Sequence, residues 1–338
     1  MNTKARDLTV SEDRVSLAFP SSRSRLQRGF HAPPGALLSS SHARSFPRFT
    51  TSLTHLFAAR CAAGAVALLA LLGAACASET KKSAALAKEH VHTLAALARE
   101  DAREVRAGLP LGAVELAKLL PPAEQGEIEP QVARESLEKA RNKVQDLRIA
   151  KSTFFALVAP TGLVIRDDQQ QDRLAGKNLL AAFPGLRPAL DGGYVETRGA
   201  MPEAAEVRGK PDAEWVAAVP VRIAGVTRAL YATGWSWSAY AYRLENAVRG
   251  AARSALTERQ KEPLLYAYVI VADDVYGAPI SPEVNAKAVH EQAPLGKLSG
   301  HEPWSVELDI TGRGFGLAAE LVPELGDKVA IAVLRSET

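Results

Sequence analysis

The chain has 338 residues, about enough for two ordinary globular domains. Its basic character belongs to the N-terminus: residues 1–60 carry nine Lys/Arg and three Asp/Glu, and because the whole chain is +3, residues 61–338 carry −3. A mildly acidic globular part gives no electrostatic reason to expect nucleic acid as a partner.

Residues 1–60 form a basic tail rich in Ser, Pro and Arg, which we expect to be disordered. Two explanations fit this composition. Translation that in fact starts further downstream is the one we favour, and an organellar transit peptide is the other. If the chain is membrane-anchored, the positive charges favour a cytoplasmic tail.

An uncharged apolar run follows Arg60 at residues 61–77, CAAGAVALLALLGAACA. It is short for a bilayer span, which needs about 20 residues, but it suits the apolar core of a secretory signal. Gly73, Ala74 and Ala75 supply the small side chains that a signal peptidase requires. The run resembles a bacterial lipoprotein signal, although Gly73 stands where leucine is usual, and the resemblance implies cleavage and lipidation at Cys76.

The alternative is an uncleaved signal-anchor. Either reading places residues 78–338 on the extracytoplasmic side of a membrane, in the cell envelope. Both cysteines, Cys61 and Cys76, lie in the apolar run, so the globular part has no disulfide and no cysteine-based metal site.

Residues 78–151 predict a helical stalk. Lys81–Gly108 carries a helical stripe that Asp101 interrupts, and Gly108 before Pro110 predicts its end. A second helix is predicted over Pro130–Lys151, with an apolar face of its own. The stripe of the first helix consists of Ala87, Val91, Leu94, Ala98 and Val105.

The hydrophobic period changes from helical to alternating in residues 152–235, which predict a first sheet module. Two strands flank the turn Pro160-Thr161-Gly162, and a loosely helical piece follows over Leu174–Leu190. Three further strands then form an antiparallel meander; they are predicted at Tyr194–Arg198, Trp215–Val221 and Thr227–Trp235.

A long amphipathic helix, Trp235–Arg259, dominates residues 236–262 and is predicted to connect the first module to a second, smaller one at residues 263–338. The second module repeats the pattern: VAAVPVRIAGVTRALYATG from Val216 lies beside LAAELVPELGDKVAIAVL from Leu317. Such an internal repeat is stronger evidence for architecture than any single strand.

The segments FALVAPTGLVIRDD, LAGKNLLAAFPGL and WVAAVPVRIAGVTRALYATGW resemble the Cache family, the PAS-like extracytoplasmic sensor domains of bacterial receptors, in its double form. The resemblance implies an α+β fold: N-terminal helices, then two PAS/Cache-like antiparallel-sheet modules joined by the amphipathic helix. The Arg-x-Trp-Tyr pattern of amino-acid-binding members is absent. No second apolar run follows, so we expect any signal to be passed on in trans, without an output domain.

In a PAS-like sheet the ligand lies between the concave face and the crossing helical segment. For the first module this predicts a ligand site of Arg166, Trp215, Arg222 and Tyr231, with the arginines suited to a carboxylate. The alternative is that both arginines are surface residues and Trp215 is core.

No catalytic or metal motif emerges. G-x-S-x-G and H-E-x-x-H are absent, and the histidines His290 and His301 are isolated, so we expect neither an enzyme nor a cofactor. Asp167, Asp168 and Asp172 lack the spacing of a calcium loop and are expected to form a turn.

The leading hypothesis is therefore a lipid-anchored, extracytoplasmic protein that binds a small molecule or an envelope protein. The alternative is a structural or accessory envelope lipoprotein that uses the fold as an interaction module without a ligand. An arginine-lined cavity under the first sheet favours the former, and a sheet packed solid with Leu and Phe favours the latter.

Overall fold

The computed structural model describes residues 54–201, 212–257 and 260–337, and gives only the backbone of residues 54–78 and Ala123. Its α-helices are α1 (Thr54–Leu119), α2 (Pro130–Lys143), α3 (Gln145–Ile149), α4 (Leu179–Ala182), α5 (Trp237–Ser254) and α6 (Glu283–Glu291). Its strands are β1 (Phe154–Val158), β2 (Val164–Asp167), β3 (Val195–Gly199), β4 (Glu214–Ile223), β5 (Val226–Ser236), β6 (Leu264–Val271), β7 (Asp274–Gly277), β8 (Trp304–Ile310), β9 (Arg313–Leu321) and β10 (Val329–Ser336).

Two antiparallel five-stranded sheets share one connectivity. The first has the order β2-β1-β5-β4-β3 and the second β7-β6-β10-β9-β8. In each, a hairpin is followed by a helical crossing and then by a three-strand meander. The crossing is α4 with the 3-10 helix Pro184–Leu190 in the first module, and α6 with Pro294–Lys297 in the second. The α+β fold predicted from the sequence, with N-terminal helices and two antiparallel-sheet modules, is confirmed.

Helix α1 continues well past the predicted stop at Gly108 and includes Pro110. A proline inside a helix costs about 3 kcal/mol, so tertiary packing must offset it. Gly108 and Gly112 allow that packing, because a Cβ at position 112 would lie only 2.7 Å from the Tyr231 ring and would also press on Leu147. The helix can therefore lie close against the first module.

Other boundaries also differ from the prediction. The second predicted helix divides into α2 and α3 at Val144, which is extended (φ −96, ψ 116) yet remains buried. Helix α5 ends at Ser254, well before Arg259. The stretch Asp274–Gly277, for which no strand is predicted, forms the edge strand β7 against β6.

Each sheet has a helix side, facing the long helices, and a crossing side, facing its own helical crossing. Residues of the first sheet alternate between them: Phe155 and Leu157 join the core shared with α1, whereas Phe154 and Ala156 join a separate core under α4. The shared core also contains α2, α5 and the helix side of the second sheet. One continuous core thus links both modules through α1.

The predicted tail and signal segment fall largely outside this description. Residues 1–53 are not described, and Cys76 lies in the part of α1 for which only the backbone is given. Across the residues that the structure does describe, no helix has an apolar stretch long enough to cross a membrane. Cleavage and lipidation at Cys76 stay predictions.

Candidate functional site

The crossing side of the first sheet, where the sequence places the ligand, is filled by apolar side chains. Large residues from the strands and from the crossing segment meet there with at most 1% exposure: Phe154, Leu179, Leu180, Phe183, Leu186 and Leu230. Interiors packed in this way have few voids large enough for a ligand. This face has the Leu- and Phe-rich packing that the accessory-protein alternative anticipates.

The four residues predicted to bind a ligand do not converge on one face of this sheet. Strand alternation places Trp215 and Tyr231 on the helix side, where Trp215 stacks on Trp235 with ring centroids 4.4 Å apart. Arg166 forms an ion pair with Asp172 and donates to the backbone carbonyl of Gln169.

Arg222, the fourth predicted residue, is exposed and donates to the backbone carbonyls of Asp191 and Gly192 at 2.7 and 2.9 Å. These hydrogen bonds stabilise the turn before β3. The alternative of two surface arginines and a core tryptophan describes Arg222 and Trp215, but not Arg166, whose side chain is 13% exposed.

The acidic residues at the end of β2 stabilise the following turn and the start of β1 through hydrogen bonds. Asp167 is fully buried and accepts from the backbone N–H groups of Gln169 and Leu174, while Asp168 accepts from Phe155 N–H and from Arg141, both at 2.8 Å. Burial raises the pKa of both carboxyl groups. Their oxygens therefore already serve donors of the protein itself.

A cavity of about 440 Å³ lies on the crossing side of the second sheet, and we call it the second-module cavity. It occupies the position between hairpin and crossing segment where a PAS-like sheet is expected to hold a ligand, and small-molecule pockets commonly span about 300–1,000 Å³. Its walls are Ile270, Ala272, Asp273, Val275, His290, Ala293, Pro294, Leu295 and Gly296.

The corresponding place in the first module is closed by backbone hydrogen bonds. The crossing segment there is tied to the β1–β2 hairpin: Leu179 N–H donates to Gly162 O, and Val164 N–H to Lys177 O, each at 2.8 Å. In the second module, helix α6 ends and the chain turns at Ala293, whose backbone is left-handed (φ 42). The turn and the small residues after it leave the space open.

The polar groups of this cavity are few. His290 Nδ1 lies 2.9 Å from the Asp273 carbonyl oxygen. Because that carbonyl can only accept, Nδ1 carries a proton, and when the ring holds a single proton Nε2 is an acceptor. The Asp273 carboxylate is a second acceptor in the wall. The surroundings suit a small, mostly apolar ligand that carries a hydrogen-bond donor.

Sequence reasoning did not identify His290 as a site residue. The signal available in the sequence was its position shortly before the Ala293-Pro294-Leu295-Gly296 break. A break of this kind can equally be a plain loop. Its proximity to Asp273, seventeen positions earlier, depends on the crossing of α6 over the sheet.

Another cavity, of about 470 Å³, lies between the start of α5 and strand β7, with Asp212, Asp274 and Glu283 in its walls. Its walls also include Ala200 and Asp212, on either side of residues 202–211, which lie outside the described part of the chain. The second-module cavity has no such gap among its walls.

No protein-family model and no curated protein matches this chain. Among solved structures, an extracellular ligand binding receptor from Desulfohalobium retbaense is 11% identical with a TM-score of 0.44, over 73% of this chain and 39% of that protein. The ligand-binding domain of a Pseudomonas aeruginosa amino acid chemoreceptor in complex with GABA is 16% identical, with a TM-score of 0.39, over 73% of this chain and 96% of that one.

The sensory domain of a Campylobacter jejuni chemoreceptor with isoleucine bound is 10% identical, with a TM-score of 0.38, over 76% of this chain and 96% of that one. The chain thus spans well under half of the receptor from D. retbaense but nearly the whole of the two chemoreceptor domains. At these identities the likeness concerns the fold alone.

Proposed function

We propose that this protein is an extracytoplasmic, membrane-anchored sensor-type protein that binds a small ligand in the second-module cavity and acts through a partner protein. The observation that carries the proposal is the position of the cavity, between the sheet and the crossing segment of a PAS-like module. Its apolar walls and two acceptors favour a small amphipathic molecule with a donor group, such as an amine or alcohol.

The contacts of the second module with α5 give a route by which a ligand in the cavity could affect that helix. Strand β6, which contributes Ile270 to the cavity, is bonded to the middle of α5: buried Glu245 on that helix accepts from Ala267 N–H at 3.3 Å and pairs with Arg249 at 2.9 Å. A ligand that shifts the hairpin of β6 and β7 would act on α5 through these contacts. Such a change requires that the two positions of the hairpin differ in ligand affinity.

Membrane anchoring rests on the sequence. The apolar run of residues 61–77 and the small residues before Cys76 support lipidation there, with an uncleaved signal-anchor as the alternative. Both leave the two modules in the cell envelope.

A thermal-shift screen of small amines, alcohols and amino acids tests the ligand site. A ligand present at 100 times its Kd stabilises the folded state by about 2.7 kcal/mol. We expect Val275→Phe to fill the cavity and to abolish the shift, and Val284→Phe to retain it, because Val284 is an exposed residue of α6 outside the cavity walls. A hit that both variants bind equally well would place the ligand elsewhere.

The second candidate is an accessory envelope lipoprotein without a ligand. The solid packing of Phe154, Phe183 and their neighbours under the first sheet is the observation that favours it. A screen that yields no ligand for the wild-type protein, together with recovery of an envelope protein in reciprocal crosslinking, would support this candidate over the sensor.

A further inference from the structure

A cationic cleft of about 420 Å³ lies between α2–α3, the link at residues 150–153 and helix α5, and shares no wall residue with the second-module cavity. We call it the α5 cleft. Four cations contribute to its wall: Arg141, Arg148, Lys151 and Arg243. None of the residues that form this wall is an Asp or Glu, so the cleft has a strongly positive lining.

Two of the cations are balanced by acids outside the wall. Arg141 pairs with Asp168 at 2.8 Å, and Arg243 forms a two-pronged pair with Asp101 of helix α1. The side chains of Arg148 and Lys151 make no hydrogen bond or ion pair with any residue that the structure describes, and both residues are exposed. The cleft wall therefore keeps two exposed cationic side chains that no described acid pairs directly, and Arg148 also lines an adjoining pocket with Glu138 and Asp168.

Two buried donors in the same wall also lack partners. Trp235 is 1% exposed and its indole Nε1 has no hydrogen bond, and the hydroxyl oxygen of Ser152 is likewise buried and unpaired. An unmade hydrogen bond at a buried donor costs about 1–3 kcal/mol, so each such group calls for an explanation. An acceptor supplied from outside the chain would satisfy both.

The indole donor is held in place before any ligand arrives. The Trp235 ring is stacked between Trp215 and Tyr240, with centroids 4.4 and 4.9 Å away, and the Tyr240 hydroxyl donates to Asp101 at 2.8 Å. A ring fixed in this way loses little entropy on binding, which favours affinity.

We propose that the α5 cleft binds a small soluble oxyanion, the carboxylate or phosphate group of a small molecule. Arg148 and Lys151 supply the charge, and Trp235 Nε1 and the Ser152 hydroxyl supply directional hydrogen bonds. Charge-assisted hydrogen bonds to an oxyanion are about twice as strong as neutral ones, and the guanidinium fork matches the geometry of both groups. This site is independent of the second-module cavity.

The site is tested by calorimetric titration of the full chain with citrate and with inorganic phosphate. An ionic strength of about 0.15 M screens long-range electrostatic attraction to the protein surface. We expect saturable binding of at least one of the two, and Arg148→Gln/Lys151→Gln to weaken it by about tenfold or more. The control Lys88→Gln/Arg187→Gln removes the same charge from exposed positions outside the cleft. It should stay within about twofold of wild type.

A second variant tests the directional donor. Trp235→Phe keeps an aromatic ring in the stack but removes the N–H, and we expect binding to weaken by about fivefold with the melting temperature recorded alongside. Failure of the wild type to bind either anion would overturn the proposal. So would equal weakening by the two charge-removing variants, because that outcome indicates general electrostatic attraction only.

Discussion

Glycines in β9 determine how closely α1 approaches the second sheet. In TGRGFG, Thr311 and Gly312 form the hairpin turn, both with positive φ (56 and 81), whereas Gly314 and Gly316 lie in the strand on one face. A Cβ at Gly316 would overlap the backbone of Ser83 and Ala84 in α1. The alternating glycines thus provide room for a helix, which explains their spacing.

Gly316→Ala should therefore destabilise the protein, because the obstacle is backbone that cannot rotate away. We expect a loss of about 2–3 kcal/mol in the free energy of unfolding, measured by urea denaturation. The control is Gly250→Ala in the interior of α5, where nothing lies within 4 Å of the added Cβ and the better helix propensity should stabilise by up to about 1 kcal/mol. A Gly316→Ala variant as stable as wild type would mean that α1 does not pack on β9 as described.

At the scale of elements, one buried acid joins α1 to α5. Asp101 interrupts the apolar stripe of α1 at 3% exposure, and its carboxylate accepts from the Tyr240 hydroxyl at 2.8 Å and from both terminal nitrogens of Arg243. A buried charge is tolerated only when it is paired and hydrogen-bonded in this way. Asp101, which interrupts the apolar stripe of α1, is thus the residue that binds α5 to α1.

Asp101→Asn keeps the shape of the side chain but leaves Arg243 without its counter-charge. We expect the free energy of unfolding to fall by about 2–3 kcal/mol, since hydrogen bonds to charged groups are worth about 1.5–3 kcal/mol and the Arg243 side chain is only 26% exposed.

The matched control for this substitution is the adjacent residue of the same helix. Glu100 makes an exposed pair with Arg103, so Glu100→Gln should leave the urea midpoint unchanged. If both substitutions lowered the free energy of unfolding by the same small amount, the Asp101–Arg243 pair would contribute no more than a surface pair. That result would contradict the prediction. A double-mutant cycle with Arg243→Gln would then measure a coupling energy near zero.

At the scale of the whole molecule, a single core serves both modules. The apolar residues of α1 pack with the helix side of each sheet and with α5, whereas each crossing side has a smaller core of its own. The modules are thus joined along their length by α1 as well as in sequence by α5. We therefore expect them to unfold together.

The predicted lipid attachment also belongs to this scale. The native protein should begin at Cys76 with a mass raised by an acyl-modified cysteine, because the apolar run and Gly73–Ala75 fit a lipoprotein signal. Cys76→Ser should shift the protein from the membrane fraction to the soluble fraction, whereas Cys61→Ser should not. Intact-mass analysis and N-terminal sequencing check the prediction, and a mature chain that starts before residue 60 would contradict it.

The sequence by itself determined the fold class, because hydrophobic periodicity and the internal repeat are local properties. The two modules, the crossings and the meanders follow from alternation in segments such as FFALVAPTGLVIRDD. Local signals predicted the helix boundaries less well, because tertiary packing outweighed them. Pro110 stays inside α1 because Gly112 lets the helix lie on Tyr231. Val144 interrupts a predicted helix while remaining buried.

Only the tertiary structure decided where a ligand has room. Arg166, Trp215, Arg222 and Tyr231 were chosen for their chemistry, but the face that a strand residue occupies depends on register, and Trp215 and Tyr231 lie on the helix side. Conversely, His290 meets Asp273, and Arg148 lies beside Trp235, only through long-range contacts. Whether the space between a sheet and its crossing is filled or open depends on how distant side chains pack, and composition and spacing do not report that.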